Sequence, residues 1–267
     1  MRSSTIKAKL ARDESVLITQ FHLNDPSVYE MASDMGFDGL WMDLEHHGHS
    51  LETASHLILA SRVGDSDVIA RPAKGEFMRM SRLLEAGAQG IMYPRCSNAE
   101  EAAEVVRWAK FAPLGTRGFD GAGPDASYAK HPMKEYIQHA NNETLIIIQL
   151  EDQLALQEAP KIAAVEGIDA LMLGPADYSI LENIPGEFTH PKILNAMQQV
   201  SEAARSAGKQ WGMPVFSDEH FHQLNNLGCR LYFSGADIIV LRNGLSLLLD
   251  RFAKLGVKSG APKSSSD

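Results

Sequence analysis

Two acidic residues, Glu151 and Asp177, follow short apolar runs that read as the ends of neighbouring strands. Adjacent parallel strands lie about 4.8 Å apart, so both carboxylates can reach one cation. Two carboxylates that leave the other positions to water and substrate suit Mg²⁺ or Mn²⁺ better than a closed zinc site, and Co²⁺ can use the same donors. Each acid also has an alternative use as a cap on the turn that follows it. Their pairing on successive strand ends is what favours a metal.

A second group is Asp43-Leu44-Glu45-His46. Along an extended segment Asp43 and Glu45 share one face and His46 takes the other. A carboxylate beside an imidazole raises its pKa and fixes its tautomer, which suits a general base. His22 and the stretch Glu219-His220-Phe221-His222 read instead as surface residues. Arg71 ends the apolar run Asp67-Val68-Ile69-Ala70 and must find an anion. It can serve a structural ion pair or clamp charge that develops on an oxygen. Together these groups describe chemistry on a 2-oxo acid: a cation chelated by carboxylate and keto oxygen stabilises an enolate while a base removes a proton. Lys74, three residues past Arg71, is the one lysine near a strand end, so a Schiff base is the weaker alternative.

Eight strands are expected, over Val16–Phe21, Gly39–Leu44, Asp67–Arg71, Gly90–Pro94, Thr144–Leu150, Ala170–Leu173, Gln210–Val215 and Arg230–Ser234. Amphipathic helices alternate with them, including Glu76–Ala86, Ala99–Ala112 and Ile193–Ala207, and a last helix is expected over Leu245–Leu255. Strict alternation implies parallel strands with right-handed crossovers. Eight such units in 267 residues predict a single-domain (β/α)8 TIM barrel. Its reactive groups should gather at the strand C-terminal ends. Residues 1–257 form the expected domain, and 258–267, rich in Ser, Gly, Lys and Pro, are expected to be disordered. The Gly-rich stretch after Pro113 interrupts the rhythm and reads as a lid or a subunit contact.

The net charge of −9 argues against a nucleic-acid partner. The N-terminal charges include no apolar signal-peptide core, and no apolar run reaches bilayer length, so a cytoplasmic protein without membrane contact is expected. Cys96 and Cys229 lie in apolar runs outside any CxxC pair and read as buried thiols.

From about Ile18 to Leu241 the chain resembles the HpcH/HpaI aldolases, metal-dependent pyruvate aldolases. The matching stretches are Asp43-Leu44-Glu45-His46, Ala70-Arg71-Pro72, Leu84-Glu85-Ala86-Gly87-Ala88-Gln89-Gly90, Pro113-Leu114-Gly115-Thr116-Arg117-Gly118, Gln149-Leu150-Glu151 and Gly174-Pro175-Ala176-Asp177. The resemblance implies that His46 is the base, directly or through a water, with Asp43 beside it and Glu85 supporting its basicity. It implies that Arg71 stabilises the transition state, that Glu151 and Asp177 bind the metal, and that Gln149 with the backbone of Ala176 and Asp177 holds the oxo acid. It further implies cleavage of a 4-hydroxy-2-oxo acid to pyruvate or hydroxypyruvate plus an aldehyde, and a homohexamer of paired trimers that exchange the last helix. Arg95, in Pro94-Arg95-Cys96, departs from the pattern, so the aldehyde does not transfer. A citrate-lyase-β or malyl-CoA-like lyase and a non-catalytic oxo-acid-binding barrel are the competing readings.

Overall fold

The computed structural model describes residues 1–257 and residue 260. The tail expected over 258–267 therefore lies outside the described residues, residue 260 apart. Eight parallel strands close on themselves in chain order: β1 (Val16–Phe21), β2 (Gly39–Asp43), β3 (Asp67–Arg71), β4 (Gly90–Tyr93), β5 (Leu145–Leu150), β6 (Ala170–Leu173), β7 (Gln210–Pro214) and β8 (Leu231–Ala236). This is the expected (β/α)8 TIM barrel.

The period-two alternation of each strand divides its side chains between two cores. Outward residues such as Leu40, Met42, Val68, Ala70, Ile146, Ile148, Leu171 and Leu173 pack under the helices. Inward residues fill the barrel: Ile18, Trp41, Ile69, Met92, Ile147, Met172 and Phe233 form a dry layer across its middle. Above that layer the same alternation turns Asp43, Arg71 and Gln149 inward, all three buried. Register does the rest, because Asp43 of β2 stands opposite Arg71 of β3.

The helices between strands include α2 (Pro26–Asp34), α3 (Leu51–Ala60), α4 (Phe77–Glu85), α5 (Ala99–Ala109), α7 (Gln153–Ala163), α9 (Pro191–Ser206) and α10 (Asp218–Asn226). Side-chain caps start several of them, with Ser50 accepting from Thr53 N–H, Asn98 from Glu101 N–H and Asp152 from Ala155 N–H. Helix α5 stops at Ala109 rather than Ala112, because Lys110 is extended and its buried Nζ donates to the Asn141 and Thr144 carbonyls.

The structure also adds elements and moves the start of the last helix. Helix α1 (Thr5–Leu10) seals the N-terminal mouth, with Ile6 and Leu10 joining the interior layer. Asp67, at the base of β3, fastens it by accepting from Ser4 Oγ at 2.5 Å, Thr5 N–H at 3.1 Å and Ile6 N–H at 2.9 Å. The stretch after Pro113 is not a lid over its own site. It joins α5 to β5 at the mouth opposite the strand C-terminal ends, and its second half is α6 (Met133–Glu143). It is anchored by a buried Arg117–Asp125 pair at 2.7 Å, with Arg117 stacked 4.8 Å over the Phe111 ring. A short helix, α8 (Pro175–Leu181), follows β6 directly. The last helix, α11 (Asp237–Lys254), begins eight residues before the expected Leu245 and has no buried residue. No described helix is long and apolar enough to cross a membrane. Both cysteines are free and buried.

Candidate active site

The polar layer is organised around Arg71. Its Nε and Nη2 donate to Asp43 Oδ1 and Oδ2 at 3.0 and 2.7 Å, a bidentate pair, and its Nη1 donates to Gln149 Oε1 at 3.3 Å. The guanidinium lies 4.5 Å over the Trp41 ring. Such a fork holds both planes in one geometry, which a lysine would not do. Burial alone would push the Asp43 carboxyl up, but Arg71 and the backbone N–H groups of Glu45 and His46 hold it below the usual carboxylate range.

From Gln149 the network passes to the acids. Gln149 Nε2 donates to Glu151 Oε1 at 3.4 Å, and the Arg95 N–H donates to Glu151 Oε2 at 2.9 Å. Burial, followed by the negative charge of Asp177, pushes the Glu151 carboxyl up to about 7. Asp177 is half-buried in the first turn of α8. Between them Gly174 leaves the room Glu151 needs, since a Cβ there would fall 2.4 Å from Oε1. An all-oxygen donor pair whose repulsion a cation would relieve, in a cradle that only glycine permits, fits a hard divalent ion. Glu151 and Asp177 are the residues that could hold it.

Three expectations about the histidines need revision. The imidazole of His46 does not rest on Asp43, which receives only the His46 backbone N–H at 3.4 Å. The carboxylate beside it is Glu45, whose Oε2 is 3.6 Å from His46 Nε2 and 3.3 Å from Arg71 Nε. That Oε2 is buried without a hydrogen-bond partner, and burial pushes the Glu45 carboxyl up against the opposing pull of Arg71. Glu85 does not meet His46 within one chain. It ends α4 at the opposite mouth, where burial raises its pKa and the neighbouring charges are Arg117, Asp125 and Asp120. His22 and His220 are not surface residues: His220 is buried, and His22 stacks on His47 with ring centroids 4.4 Å apart.

His46 is the accessible member of the group, with 55% of its side chain exposed at the rim. Ala176 is exposed beside Asp177, so the first turn of α8 presents its backbone to the same mouth. Lys74 forms no part of a Schiff-base site. Its Nζ donates to the Arg95 carbonyl at 2.6 Å and to Ser97 Oγ at 2.8 Å, and it pairs with Glu101 at 3.1 Å. Arg95 is thus held at both backbone ends in a left-handed conformation, φ 50°. Beyond the expected residues the fold recruits Gln20, whose Nε2 donates to Asp43 Oδ2 at 3.3 Å, and Trp41 beneath Arg71. Their strand register with each other, Gln20 opposite Trp41, carried the signal.

The family described as HpcH/HpaI aldolase/citrate lyase matches residues 20–237. A hydroxypyruvate/pyruvate aldolase of Pseudomonas aeruginosa is 31% identical over 96% of this chain and 93% of its own length. A 4-hydroxy-2-oxo-heptane-1,7-dioate aldolase of Shigella sonnei is 30% identical over 84% of this chain and 85% of its own. Among solved structures, an HpcH/HpaI aldolase from Desulfitobacterium hafniense superposes with a TM-score of 0.88 at 27% identity, covering 96% of this chain and 98% of that one.

Proposed function

The chain belongs to the HpcH/HpaI aldolase/citrate lyase family, and from that membership we propose that it is a divalent-metal-dependent aldolase cleaving a 4-hydroxy-2-oxo acid reversibly to pyruvate or hydroxypyruvate and an aldehyde. The observation that carries this is the buried Glu151 carboxylate at the end of β5, with Asp177 in the first turn of α8 and a hydrogen-bonded link through Gln149 to Arg71. The named relatives are aldolases, which favours this reading over a coenzyme-A lyase or a silent barrel.

Glu151 and Asp177 would hold Mg²⁺, Mn²⁺ or Co²⁺, which when bound supplies Lewis-acid polarisation of the keto group. The protein's own residues supply the rest. Arg71, fixed by Asp43 and stacked on Trp41, faces the oxygen on which negative charge grows. Gln149 and the backbone of Ala176 and Asp177 orient the oxo acid. In the cleavage direction His46 takes the proton of the 4-hydroxyl at a ring nitrogen. The C3–C4 bond then breaks, its electron pair passes to C3 as the enolate, and the aldehyde leaves. Return of a proton to C3 completes the cycle, and in synthesis the same base removes it. Glu45, at 3.6 Å, steadies the protonated imidazole.

We assign the cytoplasm as the compartment, consistent with two free buried thiols. We also assign a homohexamer in which α11 is exchanged between subunits, because none of that helix's residues is buried within its own chain. The test of the activity is hydrogen–deuterium exchange at C3 of pyruvate followed by NMR, with Mg²⁺, Mn²⁺ or Co²⁺ and with chelator, alongside retro-aldol assays over several aldehydes. Exchange that requires the ion and disappears in Glu151→Gln and Asp177→Asn is the expected result. Exchange that persists in either variant or in chelator would overturn the reading.

A further inference from the structure

Across the mouth from the acid pair, at the ends of β1 and β2, stands a group whose two imidazoles the aldol chemistry does not use. His22 and His47 with Asp43 bring one ligand atom each to within 4.8 Å of one another. His47 Nε2 lies 3.9 Å from Asp43 Oδ2. His22 follows β1 and His47 follows β2, so two adjacent strand ends present the imidazoles, and their rings meet at 4.4 Å. We propose that His22, His47 and Asp43 form a second cation site, selective for a borderline transition ion of the Zn²⁺ class, at the same mouth as the hard-ion site at Glu151 and Asp177 but on the opposite strand ends.

Two imidazoles and one carboxylate are the donor set that transition ions prefer and that Mg²⁺ does not. Asp237 reinforces it. Its carboxylate oxygens are pinned by the backbone N–H groups of His22 and Leu23, both at 2.9 Å, and Oδ1 lies 3.6 Å from His22 Nδ1. A carboxylate behind an imidazole orients it and increases its basicity toward a metal. His49 adds a third ring, 6.2 Å from His47, with a buried Nε2 that has no hydrogen-bond partner. Arg71 occupies one side of the Asp43 carboxylate, and an ion on the Oδ2 side that faces His47 would take the place of the long Gln20 Nε2 hydrogen bond at 3.3 Å. The charge of Arg71 opposes a dication there, and Asp237 and Glu45 offset it. An ion in this position also draws on the carboxylate that positions Arg71, so excess Zn²⁺ should inhibit.

The experiment is a Zn²⁺ titration of the metal-stripped full chain in saturating Mg²⁺, read by calorimetry and by metal analysis after equilibrium dialysis. Co²⁺ absorption in the visible range reports nitrogen ligation. One Zn²⁺ per chain is expected beyond the Mg²⁺ site, retained in Glu151→Gln and weakened by about 100-fold or more in His47→Ala and in His22→Ala. His47→Gln, at a half-exposed ring, serves as the milder variant if His22→Ala fails to fold, and thermal unfolding without metal identifies that case. Wild-type stoichiometry and affinity in the His22→Ala/His47→Ala double variant, or no Zn²⁺ bound by the wild type in Mg²⁺, would overturn the proposal. Loss of Zn²⁺ binding in Glu151→Gln would likewise overturn it by merging the two sites, whatever becomes of the aldolase activity.

Discussion

At the scale of single residues, the Glu151 carboxyl makes the clearest demand on solution behaviour. Its folded pKa of about 7 lies above the ordinary carboxylate value. The stability this group contributes is therefore present at low pH and lost as pH rises from about 4.5 through 7. A cation bound to the ionised form reverses that loss. Mg²⁺ should thus raise the unfolding midpoint more at pH 8 than at pH 5.5, and its affinity should fall by about tenfold per pH unit below 7. Equal midpoint shifts at the two pH values would remove Glu151 from the ion. Arg71 gives a second prediction. Arg71→Lys keeps the charge but loses the fork on Asp43 and the stack on Trp41. It should lower kcat by about 100-fold or more while changing KM little, and steady-state kinetics would separate that from a binding role. The sequence disclosed these residues because strand ends expose polar groups that an apolar run cannot hide. It did not disclose which carboxylate serves which partner. Asp43 and Glu45 are two positions apart on one face, and only the packed geometry gives Arg71 to the first and the His46 imidazole to the second.

At the scale of elements, strand positions were legible to within a residue or two, since a buried parallel strand is a short run of Val, Ile, Leu and Met between turn signals. Helix α1 was not, because six residues with only Ile6 and Leu10 buried carry too little periodicity. Its position comes from a long-range contact, the Asp67 carboxylate at the foot of β3. Asp67→Ala should release this plug and cost about 1–3 kcal/mol, measured by denaturant unfolding, with activity at the far mouth retained below the transition. An unchanged midpoint would mean that Ile6 and Leu10 alone hold the helix. The start of α11 was misplaced for a related reason. Its residues are apolar on several faces, so amphipathic spacing within one chain could not locate its beginning.

At the scale of the molecule, the barrel leaves one flank thinly covered. Leu17 on β1 is 43% exposed, although strands of a closed barrel are normally covered by helices. Leu241, Leu245, Leu248 and Phe252 on α11 are all about half exposed. The helix exchange proposed above would cover both surfaces. Leu248→Glu should reduce the mass found by light scattering coupled to size exclusion, and a mass equal to that of the wild type would count against the exchange. The interior has a separate consequence. Because the dry layer of Ile18, Ile69, Met92, Ile147 and Phe233 closes the barrel beneath Arg71 and Gln149, the folding core and the reactive mouth share few atoms. Mutational drift around the rim can then explore new acceptor aldehydes at little risk to the scaffold, which gives such a protein latitude to change its diet before it loses its shape.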